Sequence, residues 1–241
     1  MTAKFQLVLG DYFKEYKFAR GIAESATSLI VWLNNHGKVR KMFNKAQAQI
    51  SLNRTGQSAV LSYLVANLTH WTTHCIAFVR LLQVSDALKL EVMQHHSGLI
   101  KAQVGATTST EKLQLTEDAE EHCNLIVDHG FWEGLKHVVG DIEPICYGMN
   151  INQKDSTHAD QVLLTLVGMY LHFHNHPISE VATGMTKCLE KRWKDCDQPL
   201  FLLAMTLNPF KVLSCFGEQA GMNHFGCNNL LIWVLGHYPQ F

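Results

Sequence analysis

Apolar residues recur at intervals of three and four through most of the chain, which is the pattern of helices that bury one face. Alternation with a period of two, as in strands, is hard to find. The sequence therefore predicts an all-α, multi-helix domain of about eight to eleven helices with short connections and little or no sheet. The predicted helices cover residues 5–33 (as one helix or two), 38–50, 57–68, 69–96, 116–128, 131–139, 159–174, 178–195, 199–208 and 228–235.

Glycine, proline and small polar residues predict where these helices end. Gly21 is the candidate break if the first run forms two helices, and residues 34–37 form a turn. Gly140 is expected to end one helix and Pro144 to begin the next, because proline suits the first turn of a helix. The small polar stretch 98–110 predicts the longest loop.

Composition indicates a folded protein without a strong overall charge. Of 241 residues, 47% are hydrophobic and 17% are charged, and the formal net charge is −1. This balance excludes a strongly basic nucleic-acid-binding protein, but the charge is uneven. Residues 111–128 are mainly acidic. A cationic run without any acid is formed by Lys38, Arg40, Lys41, Lys45 and Arg54. This run is either a solvated helix face or a patch that contacts phosphates.

Catalytic and metal-binding signatures are weak. The seven cysteines are irregularly spaced and include no C-x-x-C, which favours reduced, mostly buried thiols over disulfides or a zinc site. His70 and His74 have the i,i+4 spacing of a zinc-binding helix but lack its glutamate. His172, His174 and His176 alternate, yet the helical run before them favours a helix end. We therefore predict no metal site and no catalytic residue from the local motifs.

Targeting signals are also not evident. The first residues lack the long apolar region of a signal peptide, and no run of 18 apolar residues predicts a membrane span. We expect an intracellular protein that does not enter a membrane.

Six segments, in matching order, resemble segments of hAT-superfamily DNA transposases in their fungal, ribonuclease-H-like form. The stretch 189–211, LEKRWKDCDQPLFLLAMTLNPFK, resembles the late part of the helical insertion in that family. The six segments are FQLVLGDYF at 5–13, LTHWTTH at 68–74, FWEGL to EPI at 131–145, DQVLL at 160–164, LNPFK at 207–211, and NLLIW to YPQF at 229–241.

The resemblance implies a particular part of such a transposase. In the family, a ribonuclease-H-like sheet is interrupted by a large helical insertion. Two aspartates and a glutamate hold two divalent ions, which activate water and a 3′-hydroxyl for DNA cleavage and strand transfer. By this alignment both aspartates fall before Met1 and the glutamate beyond Phe241, so none has a counterpart here. The resemblance thus implies an insertion-like domain at 1–208 and the start of a truncated dimerisation-like region at 209–241. It implies a catalytically inactive fragment or relic, not an enzyme, without the family's magnesium or manganese.

The resemblance also implies a nuclear location and residual DNA binding. The matching tryptophan of the family stacks on a flipped base, a role that would fall to Trp71, with His70 in the place of the usual arginine. With the cationic run, the expected nucleic-acid-binding residues are Trp71, His70, Lys38, Arg40, Lys41 and Lys45. Apolar helix faces left exposed would favour self-association. Two alternatives remain: a helical protein–protein interaction module without a DNA role, and a metal- or hydrolase-type enzyme that uses the His-rich segments.

Overall fold

The computed structural model describes residues 2–65, 71–105, 109–196, 198–210 and 224–237. Over these ranges the chain forms ten helices and no strand, which confirms the all-α prediction for the part described. The helices are α1 (Thr2–Glu15), α2 (Lys17–Asn35), α3 (Gly37–Thr55), α4 (Trp71–Val104), α5 (Ser109–Val127), α6 (His129–Asn152), α7 (Ala159–His174), α8 (Ser179–Lys194), α9 (Gln198–Leu207) and α10 (His224–His237).

The chain divides into two compact units. Unit 1 comprises Met1–Tyr16 and Pro144–Phe241, and unit 2 comprises Lys17–Glu143. The division between the units falls within α6. The boundary expected from sequence, between residues 208 and 209, stays a prediction.

Unit 2 is built around α4. Both α3 and α5 pack against this helix, and α2 packs on α3 and α4. Large apolar side chains such as Phe43, Phe78 and Trp132 are fully buried in this unit. The Trp132 indole N–H donates to the carbonyl of Ile126 at 2.7 Å, so the ring is buried with its polar atom satisfied.

Unit 1 is organised around α7 and α8. Helix α7 packs on α8 and α9, α1 packs on α8, and α10 packs on α9. The buried side chains of Leu163, Phe201 and Met205 form one apolar cluster in this unit. The guanidinium of Arg192 pairs with the carboxylate of Asp11, with its Nε 3.0 Å from Oδ2, and so ties α8 to α1.

Two expectations in the first third of the chain are wrong. The first run breaks at Tyr16 rather than Gly21. Over its described part, the segment 57–68 is not helical but irregular from 57 to 65. Buried Gln47 of α3 holds this segment: its Nε2 donates to the Tyr63 hydroxyl at 2.7 Å, and its Oε1 accepts the Leu61 N–H at 2.9 Å. These bonds replace the helical hydrogen bonds that periodicity predicted.

Helices in the middle of the chain are longer than predicted. Helix α4 has a kink at His95, whose φ of −131° and ψ of 28° are not helical, close to the predicted helix end at residue 96. Beyond the kink a helical segment continues into the expected loop as far as Val104, and α5 begins at Ser109 rather than near residue 116. Buried Leu99 and Val104 continue the apolar face of α4. Helix α6 passes through Gly140 and Pro144 without ending, because buried side chains recur at helical spacing on both sides of them: Val138, Ile142, Ile145 and Met149. By contrast, α7 and α9 have nearly the predicted bounds.

Candidate nucleic-acid interface

Three exposed lysines form a row along α3. Lys38, Lys41 and Lys45 lie at positions i, i+3 and i+7, which share one face of a helix. At 1.5 Å per residue, the row is about 10 Å long. None of the three forms an ion pair with the part of the chain that the structure describes. Their charges are therefore available to an anionic partner.

The two arginines of the predicted patch have other surroundings. Arg54 donates from Nη2 to Asp86 Oδ2 of α4 at 2.7 Å, in an exposed ion pair that offsets its charge. Arg40 is half-buried, and its charge lies close enough to Tyr63 to affect that phenol. Burial still dominates there and raises the pKa of Tyr63 to about 12. The interface candidate on α3 is thus the row of three lysines, with Arg40 beside it.

The predicted stacking residue lies at a helix start. Trp71 is the first residue of α4. Its side chain and the whole of His70 lie outside the described residues, so their part in the interface stays a prediction. His74, one turn further along α4, is buried, and burial lowers the pKa of its imidazole.

Helix α5 carries the opposite charge to α3. Its sequence contains five acidic residues and one lysine, whereas α3 contains five cations and no acid. Both helices pack on α4. Unit 2 therefore carries positive and negative charge on different helices. The net charge of the whole chain, −1, does not show this separation.

Ser28 and His122 line a cleft of about 600 Å³ in unit 2, and His122 also contacts Asp118. Ser28 Oγ lies 3.2 Å from His122 Nε2, and His122 Nδ1 lies 2.8 Å from the backbone oxygen of Asp118 and 3.4 Å from its Oδ1. Because a carbonyl only accepts, Nδ1 carries the hydrogen and Nε2 accepts from the serine. This is the tautomer of a general base. No local sequence pattern indicates this arrangement, since Ser28 and His122 are 94 residues apart.

The surroundings of His122 favour a structural role. The carboxylates of Glu24, Glu121 and Asp128 line the same cleft and would oppose negative charge on a reacting carbonyl oxygen. His122 is 7% exposed, and its ring stacks on Trp32 with centroids 4.9 Å apart.

Hydrogen bonds extend this cluster to α4. The Trp32 indole donates to Gln103 Oε1 at 2.7 Å, and Gln103 Nε2 donates to Asp118 Oδ2 at 2.6 Å. We interpret the chain of contacts from Ser28 to Trp32 as a network that joins α2, α4 and α5.

The alternating histidines lie at a helix end, as the sequence favoured. His172 and His174 occupy the last turn of α7, and His176 follows it. The His174 ring stacks on Tyr170 with centroids 5.7 Å apart. Among the residues that the structure describes, no group of three or more His, Cys, Asp or Glu side chains could hold a metal ion.

Comparison with known proteins gives no relative. No family model, curated protein or solved structure matches the chain. Within the described ranges, no helix combines the length and hydrophobicity that a membrane span needs.

Proposed function

We propose that this chain is a non-catalytic relic of a hAT-type transposase, equivalent to its helical insertion, that binds nucleic acid weakly. The ordered resemblance of six segments and the all-α fold support this origin. The observation that carries the binding role is the exposed lysine row of α3, on a helix that contains no acid. A nuclear location follows from the same proposal.

The binding mode is contact with phosphates rather than recognition of bases. Duplex DNA carries one negative charge per about 1.7 Å of axis, so a row about 10 Å long faces about six charges. Lysine is a compact point charge that binds phosphate without base preference. We therefore expect weak, sequence-independent binding, with a dissociation constant of about 10⁻⁴ to 10⁻⁶ M.

Salt dependence tests the proposal most directly. Three phosphate contacts give a slope of about −2.7 in a plot of log K against log salt, which means about 40-fold weaker binding at 200 mM than at 50 mM. Fluorescence anisotropy with a labelled duplex measures this slope. The triple variant Lys38→Gln, Lys41→Gln, Lys45→Gln should lower its magnitude by about one per lysine.

A matched control removes the same charge elsewhere. Lys17, Lys112 and Lys154 are exposed and lie on α2, on α5 and before α7. Their triple change to glutamine alters the net charge equally, so it should leave most of the affinity and slope unchanged. Equal losses in the two triple variants would show that the α3 row has no special role.

Base stacking by Trp71 needs its own test. A single-stranded oligonucleotide exposes base faces, and stacking on an aromatic ring contributes about 1–3 kcal/mol per base. Trp71→Ala should therefore weaken single-strand binding about 5- to 150-fold while leaving the salt slope unchanged. Equal affinity of the variant and the parent would remove Trp71 from the interface.

A protein-binding role is the second candidate, and exposed apolar side chains of α7 favour it. Leu164, Val167 and Leu171 are 37%, 43% and 52% exposed. Exposed apolar side chains in one row mark a surface that is suited to a protein partner. Self-association of the protein that increases with its concentration and is unchanged by added DNA would favour this role over the first.

A further inference from the structure

The exposed positions of α7 form a symmetric pattern. Six residues of this helix are exposed: Gln161, Leu164, Val167, Gly168, Leu171 and His174. They are symmetric about the midpoint between Val167 and Gly168. If a second copy of the helix lies antiparallel to the first, Leu164 therefore faces Leu171 and Gln161 faces His174. Apolar residues then meet apolar residues, and polar residues meet polar ones.

We propose that this face, the α7 stripe, is the interface of an antiparallel homodimer in which the α7 helices of two copies pack together. A two-fold interface must be self-complementary, because the same patch meets itself in the reverse direction. The symmetric order of the α7 stripe meets this condition. The proposal rests on the protein-binding candidate above and names its partner as a second copy of this chain.

The surface beside the stripe has the shape that a second helix needs. On one flank, a groove of about 620 Å³ is bordered by Pro144, Tyr147 and Ile151. On the other, a groove of about 510 Å³ is bordered by Trp193 and Leu202.

Leu164 lines both grooves, so α7 is a ridge between them. Helices pack by placing the ridge of one in the groove of the other. Two copies related by a two-fold axis can do so reciprocally, with each ridge in a groove of the other copy. Exposed Tyr147 would be covered in the process.

Gly168 lies next to the two-fold axis and lets the two backbones approach. A Cβ added at Gly168 would meet no atom within 4 Å in this chain, so its own fold leaves the space open. Small residues at the centre of a helix pair allow close contact. The polar ends suit the pairing, since the Gln161 carboxamide and the His174 imidazole can each donate and accept.

The size of the stripe sets the expected strength. Thirteen steps of 1.5 Å make it about 20 Å long, and a strip one helix wide covers far less than the roughly 800 Å² per partner of a stable complex. The flanking grooves add area, but the dimer should be weak and form with rising concentration. Sedimentation velocity from about 5 to 500 µM covers the range of dissociation constants for such contacts.

Gly168→Arg is the first variant. It fits the isolated chain but places two arginines at the axis of the dimer, so self-association should weaken at least about tenfold through steric clash and like charge. Gly140→Arg is the matched control, because Gly140 is also an exposed helical glycine with nothing within 4 Å of a Cβ. Circular dichroism should show equal helix content in both. Equal association of both variants would overturn the proposal.

Charge exchange tests the antiparallel register. Leu164→Lys and Leu171→Glu should each prevent association alone. When mixed, they should form a heterodimer with one lysine–glutamate contact and one native Leu164–Leu171 contact. A parallel pair would not bring the two new charges together. A mixture that stays monomeric, or a parent chain that is monomeric at every concentration, would refute the dimer. The α7 stripe would then not be an interface between copies of this chain.

The two proposals can fail separately. Gly168→Arg should leave the salt slope of DNA binding unchanged, because Lys38, Lys41 and Lys45 lie on a different helix. The lysine triple variant should likewise retain self-association. A parent chain that binds DNA but stays monomeric refutes only the dimer, and a parent chain that dimerises but does not bind DNA refutes only the nucleic-acid role.

Discussion

Two glycines of α6 should respond in opposite ways to the same substitution. A Cβ at Gly134 would lie 2.8 Å from Ile22 Cδ1, 3.0 Å from Ile22 Cγ1 and 3.3 Å from Phe18 Cζ of α2. At Gly140, six residues further along, a Cβ would meet nothing within 4 Å. Both glycines belong to unit 2, so one unfolding transition reports on both substitutions.

The expected free energies follow from these distances. Alanine in a helix interior is about 1 kcal/mol better than glycine, so Gly140→Ala should raise the free energy of unfolding by about 0.5–1 kcal/mol. At Gly134 the same gain is opposed by overpacking, which costs about 1–3 kcal/mol. Ile22 is only half-buried and can move in part. We expect Gly134→Ala to destabilise by about 1 kcal/mol net.

Urea unfolding followed by circular dichroism measures both effects. A double-mutant cycle with Ile22→Ala isolates the contact, because that change removes both atoms of Ile22 nearest to the new Cβ. In the Ile22→Ala background, Gly134→Ala should become stabilising, as Gly140→Ala is in the parent. If Gly134→Ala stabilises the parent as much as Gly140→Ala does, the close approach of Ile22 to Gly134 is incorrect.

Two further predictions concern buried polar groups. Gln47→Ala should cost about 1–3 kcal/mol and speed amide exchange at Leu61, because it removes the partner of both Leu61 and Tyr63. The exposed Gln49→Ala serves as control and should change little. His74 has a pKa lowered by burial, so its contribution to stability is complete above the ordinary value of 6.5 and is lost as the pH falls below it. The free energy of unfolding should therefore fall less between pH 7.5 and 5.5 in His74→Gln than in the parent, and an unchanged slope would contradict this assignment.

Local patterns predict those elements whose ends are set by nearby residues. Helix α7 follows a polar cluster and precedes Pro177, and α9 begins at Gln198–Pro199 and ends before Pro209, so their bounds were visible in the sequence. Apolar periodicity wrongly predicted a helix over 57–65. There, buried Gln47, about 15 residues away, forms hydrogen bonds with Leu61 and Tyr63 instead. The local pattern also failed at Gly140 and Pro144, where apolar periodicity outweighed two residues that usually break helices.

The candidate sites also differ in how far local sequence patterns predict them. The lysine row could be predicted because its spacing lies within one helix. The pairing of Arg54 could not be predicted in this way, because its partner Asp86 lies on α4. The network of Ser28 and His122 could not be predicted, since it depends on side-chain contacts between α2 and α5, which are far apart in the sequence. The symmetry of the α7 stripe needed knowledge of which positions remain exposed.

The separation of charge between α3 and α5 has a practical consequence for handling this protein. A net charge of −1 and a sequence pI near 6.9 would suggest weak retention on any ion-exchange resin at neutral pH. A resin interacts with the side of a molecule that faces it, not with the sum of its charges. Cation exchangers should therefore retain the protein through Lys38, Lys41 and Lys45, and anion exchangers through the carboxylates of α5.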